Sequence, residues 1–339
     1  MRNRLVVFIL VGVGLVFALF FARQMWLSRG LPRTQVEEKK LRLLTYSTFI
    51  SATGPGTEIL RRFERETGAK VEVVTSTDAG LLLERLKLGQ AGVPFDVVLG
   101  LDQLLMESAH RDFQWQTIKE DRSQWTQAAA LQSDDQFSAF DWSPLTFIYR
   151  RDDKALPLSF DDLLKPEFKQ QFGLQDPHAS TPGLQFFHWV KALKGADTVN
   201  WLKQFQPQVR SVSPTWSFSY GLFKKGEVRF VFSYLTSLAF HWGDEKDRRY
   251  QALSFAEGHP VQVEVVAIPA TCRECELAQT FVRTLHTEWA QRLLMQKNYM
   301  FPVLNGLTAG TVYAELPSLK TLSTDAGKNL NEWDQVFTH

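Results

Sequence analysis

Apolar positions along the chain fall into runs that alternate between strand and helix spacing. Leu41 to Tyr46 has strand character and ends at Ser47-Thr48-Phe49. Gly54-Pro55-Gly56 then breaks the chain before a helix with Ile59, Leu60 and Phe63 on one face, closed by Gly68. Lys70 to Thr75 reads as a second strand, and Asp78 as the N-cap of a Leu-rich helix that stops near Gly89. A third unit runs from the strand Phe95 to Gly100 into Asp102-Gln103-Leu104-Leu105. Strands alternating with helices predict a parallel sheet covered on both faces, with ligands collecting at the carboxyl ends of the strands, where Ser47, Asp78 and Gly100 would lie.

Beyond this opening, Phe137 to Arg150 is a long β-rich segment interrupted by Asp141-Trp142-Ser143-Pro144, which predicts a first crossing between two lobes. The second lobe would hold helices at Leu184 and Trp201, a segment Trp216 to Phe223 that precedes a helix, and a strand from Glu227 to Tyr234. A return crossing is expected at Ser254 to Val265, and one long amphipathic helix from Glu276 to Lys297 would complete the first lobe. The implied division is 1–40 anchor and tether, 41–140 first lobe, 141–258 second lobe, and 259–339 completion of the first lobe with the tail.

The amino terminus changes the topology. Arg2 and Arg4 precede an uncharged run from Leu5 to Ala22, which as a helix would reach about 27 Å and nearly match a hydrocarbon core of roughly 30 Å. Phe20-Phe21-Ala22-Arg23 offers no small-residue cleavage pattern. The run therefore predicts an uncleaved transmembrane signal-anchor, a polar tether from Gly30 to Lys40, and a body on the extracytoplasmic side. Charge excludes other partners. Lys and Arg total 38 against 37 Asp and Glu, so no overall field draws the chain to nucleic acid. The two cysteines, Cys272 and Cys275, are expected to close a short disulfide in such a compartment.

Gln175-Asp176-Pro177-His178-Ala179-Ser180-Thr181-Pro182-Gly183-Leu184 is the stretch with the clearest chemistry. Ser180 or Thr181 can cap a helix that Pro182 opens, and such a start presents hydroxyls, backbone N–H groups and the positive end of the helix dipole to a small polar or anionic ligand. Asp78 with the Ala79 N–H would face the same ligand from the first sheet. Trp216, in a Ser-rich, Gly-punctuated segment, is placed to stack on it. Tyr234, Leu235, Thr236 and Ser237 close a strand and cap the next helix, and Tyr299 is a candidate wall. No nucleophile elbow, zinc-protease motif, P-loop or dinucleotide fingerprint occurs in the folded part. No catalytic residue, metal ligand or cofactor is assigned, although Glu257-Gly258-His259 with Glu264 has acid–base character and is read as hinge.

Taken in order, Thr45 to Phe49 with Gly54-Pro55-Gly56, Asp96 to Asp102, the Gln175–Leu184 stretch, Trp216 with Tyr220 to Phe223, Lys225-Gly226-Glu227 and Phe255 to His259 resemble the thiamine-binding periplasmic protein family of bacterial ABC importers over roughly residues 41 to 310. The resemblance implies a two-lobed α/β clamp of the type II periplasmic-binding-protein class. It implies a monomer that binds thiamine, or its phosphates, and hands it to an inner-membrane permease. Carried over by position, the ligand contacts are Asp78, Ala79, Ser180, Thr181, Trp216, Tyr234 to Ser237 and Tyr299. Ser47 stands where the pattern has Asp, and Tyr299 where it has Trp. Two alternatives stay open: a thiamine-modifying enzyme on the same fold, which would need a cleft cysteine, and a ferric-iron clamp, which would commonly use adjacent tyrosines.

Overall fold

The computed structural model describes residues 20–25, 39–89, 92, 94–152, 154–324 and 329–337. The chain divides into two compact units, 1–38 and 39–339. In the first, residues 20–25 are helical, and most of the apolar run Leu5 to Ala22 lies outside the described residues. Among the described residues no helix is long and apolar enough to cross a membrane.

The second unit is built on one continuous path of strands. β1 (Lys40–Tyr46), β2 (Lys70–Ser76), β3 (Val97–Asp102), β4 (Phe137–Arg150), β5 (Phe172–Gln175), β6 (Val209–Ser213), β7 (Phe230–Tyr234), β8 (Tyr250–Ala252), β9 (Val261–Ala267) and β10 (Phe301–Pro302) assemble in the order β2-β1-β3-β9-β4-β7-β5-β6, with β8 and β10 both beside β4. β1 pairs parallel with β2 and β3, as the alternating units predict. The sheet as a whole is mixed, because the late strand β9 returns antiparallel between β3 and β4.

β4 corrects the reading of an interruption at Asp141-Trp142-Ser143-Pro144. It runs unbroken for 14 residues. Residues up to Pro144 pair with β9, and from Leu145 onward the partners are β7 and β8. Pro144 has no N–H to give to a ladder and falls where the strand changes partner. The expected long helix from Glu276 to Lys297 is two, Cys275–Leu285 and Glu288–Lys297. His286 ends the first by turning its ring onto the carbonyl of Ala139 in β4 at 2.9 Å, and Thr287 takes an extended conformation before the second begins.

Aromatic residues supply most of the bulk in the half built on β4, β5 and β7. Phe147, Phe172, Phe186, Trp189, Phe230 and Phe232 are fully buried and touch one another edge-on or stacked, which accounts for much of the chain's heavy aromatic load. In the other half, buried Asp96 fastens β1 to the turn that carries the disulfide Cys272–Cys275. Its carboxylate accepts from the backbone N–H of Arg42 (2.8 Å), Arg273 (2.7 Å) and Glu274 (2.9 Å). Since the disulfide closes so small a loop, its removal is expected to cost no more than about 2 kcal/mol. Asp96→Ala, which strands three donors, is expected to cost about 3 kcal/mol. Urea unfolding of the two variants would reveal which constraint dominates.

Candidate functional site

A cavity of about 520 Å³ opens where the carboxyl ends of β1 and β2 meet the starts of two helices from the other half, Thr181–Lys194 and Trp216–Lys224. Its aromatic side comes from Trp216, Tyr220 and Tyr234. Trp216 is stacked on Tyr220 (centroids 4.9 Å apart, 26° between planes) and tilted toward Tyr234 at 6.2 Å. The indole is fixed at its far edge, because Nε1 donates to the Ser233 hydroxyl at 2.9 Å, which in turn lies 2.9 Å from the Ser237 hydroxyl. Trp216 is the first residue of its helix rather than part of a preceding loop. Thr215 caps it by accepting from Phe218 N.

Asp78 lines the same cavity. Its side chain accepts from Ala79 N (2.7 Å), capping the short turn Ala79–Leu81, and from Trp216 N (3.0 Å), which belongs to a helix 138 residues away. One carboxylate therefore ties the end of β2 to the helix that carries the indole. Burial pushes the Asp78 carboxyl up to about 6, against the pull of those N–H donors and of the Ser180 hydroxyl. A carboxyl raised in this way favours folding most when protonated, so its contribution is complete below about pH 4 and is lost as the pH rises through about 6. Buried His259 and His286, which burial holds below the usual histidine range, titrate with the opposite sign. The readout is therefore a difference: Asp78→Asn is expected to gain melting temperature relative to the unsubstituted protein as the pH is raised from about 5 to about 7.

The floor holds more acid. Glu264 of β9 lines the cavity and accepts from the Tyr46 hydroxyl at 2.8 Å, while Asn298 donates to Asp141 at 2.7 Å and to the Tyr46 oxygen at 3.1 Å. Tyr46 can lie flat here only because of Gly100. That residue has φ +104°, and a Cβ on it would sit 2.3 Å from the Tyr46 ring.

Of the residues singled out in the sequence, Asp78, Ala79, Thr181, Trp216, Tyr234, Ser237 and Tyr299 line the cavity. Ser180 does not. It is the fully buried N-cap one residue behind, and its hydroxyl makes no capping bond, Pro182 at the second helical position having no N–H to offer. Leu235 and Thr236 also point away. Leu235 packs in the core with its N–H on the Pro144 carbonyl, and the Thr236 hydroxyl bonds that of Ser143 on β4. Ser47 is exposed, donates to the Thr77 carbonyl and lies outside the lining. Glu257 and His259 are spent on the backbone N–H groups of Phe160 and Phe255. Cys272 and Cys275 are disulfide-bonded and away from the cavity. Among the described residues no group of three or more His, Cys, Asp or Glu is arranged to hold a metal ion.

Tyr46, Tyr220 and Asn298 escaped the sequence reading, and Glu264, read there as part of a hinge, is a cavity residue. The available signal was an acid set in an apolar strand, at Phe140-Asp141-Trp142 and at Val263-Glu264-Val265. A carboxylate is costly to bury there unless a site uses it.

A mixed α/β sheet with an aromatic and acidic cavity at its strand ends defines a solute-binding protein of the periplasmic type. The chain belongs to the bacterial extracellular solute-binding proteins, whose family model matches residues 45–299, and within them to the thiamine-binding periplasmic proteins. It is 34% identical over 318 residues to the thiamine-binding periplasmic protein of Brucella abortus, covering 90% of this chain and 94% of that one. It is 33% identical over 268 residues to that of Escherichia coli (strain K12), covering 78% and 81%. A solved periplasmic thiamin binding protein superposes with a TM-score of 0.79 at 32% identity over 86% of this chain and 92% of that chain. A ferric binding protein from Campylobacter jejuni, at 18% identity and a TM-score of 0.68 over 83% of this chain and 92% of that one, shares the fold.

Proposed function

We propose that the chain binds thiamine in this cavity, on the extracytoplasmic side, and delivers it to an ABC permease of the inner membrane. The observation that carries the reading is the stacked pair Trp216–Tyr220 lining one cavity with Asp78 and Glu264. A permanently cationic thiazolium is attracted both by aromatic faces and by carboxylates, and the aminopyrimidine is a flat ring suited to the same stack. The volume falls within the roughly 300–1,000 Å³ usual for small-molecule sites. Ser237, Thr181 and the helix starts beside them suit the hydroxyl tail, and Lys224 and Lys297 at the lining suit the phosphorylated forms.

In this reading the chain acts as a monomer, with residues 41–140 and 259–339 as one lobe and 141–258 as the other. β4 and β9 serve as the connection, and Leu5 to Ala22 holds the body near its permease, where tethering raises the effective concentration. Calorimetry on the unit from Lys39 onward, titrated with thiamine, its mono- and diphosphate and ferric citrate, tests the ligand. Saturable one-to-one binding of thiamine is expected, and uptake of ferric citrate alone would refute it. Recovery of the full chain in washed inner membranes tests the anchor.

A further inference from the structure

Asp141 in β4 and Glu264 in β9 are direct cross-strand partners in the antiparallel pair, so their side chains leave the same face with Cβ atoms about 5 Å apart. Both are buried, Asp141 completely and Glu264 to 5% exposure at the cavity floor. Two like charges so placed destabilise each other unless a cation or a proton intervenes. Among the described residues, the groups packed around them provide no cation in contact. Tyr46 from β1 donates its hydroxyl to Glu264, Asn298 donates to Asp141, and Gln262 donates to Glu264 at 3.3 Å. Asp102 of β3 and Asp78 add negative charge, and Tyr234 and Tyr313 are phenols held protonated by burial. Of the cavity's lysines, Lys224 is paired with Glu245 and Lys297 is exposed. One oxygen of Asp141, Oδ1, has no hydrogen-bond partner.

Resting on the thiamine reading, we propose that Asp141 and Glu264 form a charge selector: in the empty protein the pair holds a proton, and a cationic ring entering the cavity displaces it to solvent. The O–H bond of the carboxylic acid breaks, water or buffer takes the proton, and the carboxylate left behind balances the fixed charge of the thiazolium. Burial raises both carboxyls above their ordinary range, and the charge of Asp141 raises Glu264 further, in keeping with a bound proton near neutrality. A neutral ring of the same shape would gain nothing from the exchange, so the pair discriminates by charge rather than by shape.

Calorimetry of the full chain near pH 7 in PIPES and in Tris, whose ionisation enthalpies differ, counts the protons released. About one per thiamine is expected from the unsubstituted chain, and close to none when a neutral analogue with thiophene in place of the thiazolium is the probe. Glu264→Gln should remove the release and narrow the preference for thiamine over the thiophene analogue by roughly tenfold or more, about 1.4 kcal/mol. Asp141→Asn is a second variant should the first fail to fold. Infrared spectra of the unsubstituted protein add a readout free of mutation, because a protonated-carboxyl band should be present when the cavity is empty and vanish with thiamine. Thiamine binding without proton release or loss of that band overturns the selector and leaves the thiamine reading standing. Absence of thiamine binding overturns both.

Discussion

Trp216→Ala is expected to weaken thiamine binding by roughly 100-fold or more. Truncating a central aromatic anchor typically costs at least about 2 kcal/mol, and the cation–π share adds up to about 2 more where water is excluded. The geometry supports the upper part of that range. The indole is held on one face by Tyr220 and at its edge by Ser233, so it meets a ligand already ordered and loses little entropy on binding. Its loss should not unravel the helix it begins. The cap from Thr215 to Phe218 N and the bond from Trp216 N to Asp78 involve backbone that alanine retains. Calorimetry gives the affinity and circular dichroism the fold, while Trp216→Phe, which keeps a smaller ring, should fall between. The ligand-induced fluorescence change should be much smaller in Trp216→Phe even at saturation. Titration curves indistinguishable from those of the unsubstituted protein would remove Trp216 from the site.

The first three β-α units were legible because each rule that marks them is local: Gly68 in the left-handed conformation ends its helix, and Asp78 caps the turn after β2. The lobe-to-lobe strands were partly hidden. A proline following Asp-Trp-Ser reads locally as a break, and only the presence of β9 on one side and β7 on the other lets β4 run straight through it. The same holds for the late helices. Glu276 to Lys297 keeps its apolar periodicity across His286, and what stops the first helix is a tertiary bond from that ring to β4.

Site residues divide along similar lines. Trp216 and Ser237 were visible because an indole in a polar context, or a hydroxyl at a helix start, is locally odd. Glu264 and Tyr46 sit in ordinary strands, and their role depends on strand register and on the missing side chain at Gly100. Thr236 shows the converse error. It had the right chemistry for a ligand contact, but pairing of β4 with β7 turned its hydroxyl onto Ser143.

Gly80→Val is expected to cost roughly 100-fold in thiamine affinity while leaving the chain folded. Gly80 follows β2 and packs on the loop after β5. A Cβ there would lie 2.3 Å from the Ala179 carbonyl oxygen, 2.6 Å from its carbon and 2.9 Å from Ser180 N. All three are backbone atoms, so no side chain can swing aside, and the turn at 78–81 must move away from the loop at 179–181 by about 1 Å or more to reach ordinary contact distance. A displacement of that size between groups that grip one ligand is enough for a loss of order 100-fold. It would also stretch the 3.0 Å bond from Trp216 N to Asp78 nearby. The strands themselves keep their pairing, so circular dichroism without ligand should remain that of the folded protein. Small-angle scattering should instead show a larger radius of gyration in the presence of thiamine than the unsubstituted protein has. Gly80→Ala, with the same first atom and less bulk, should show a milder form of both effects. If Gly80→Val binds thiamine normally and scatters like the unsubstituted protein, close approach of these two turns plays no part in holding the ligand.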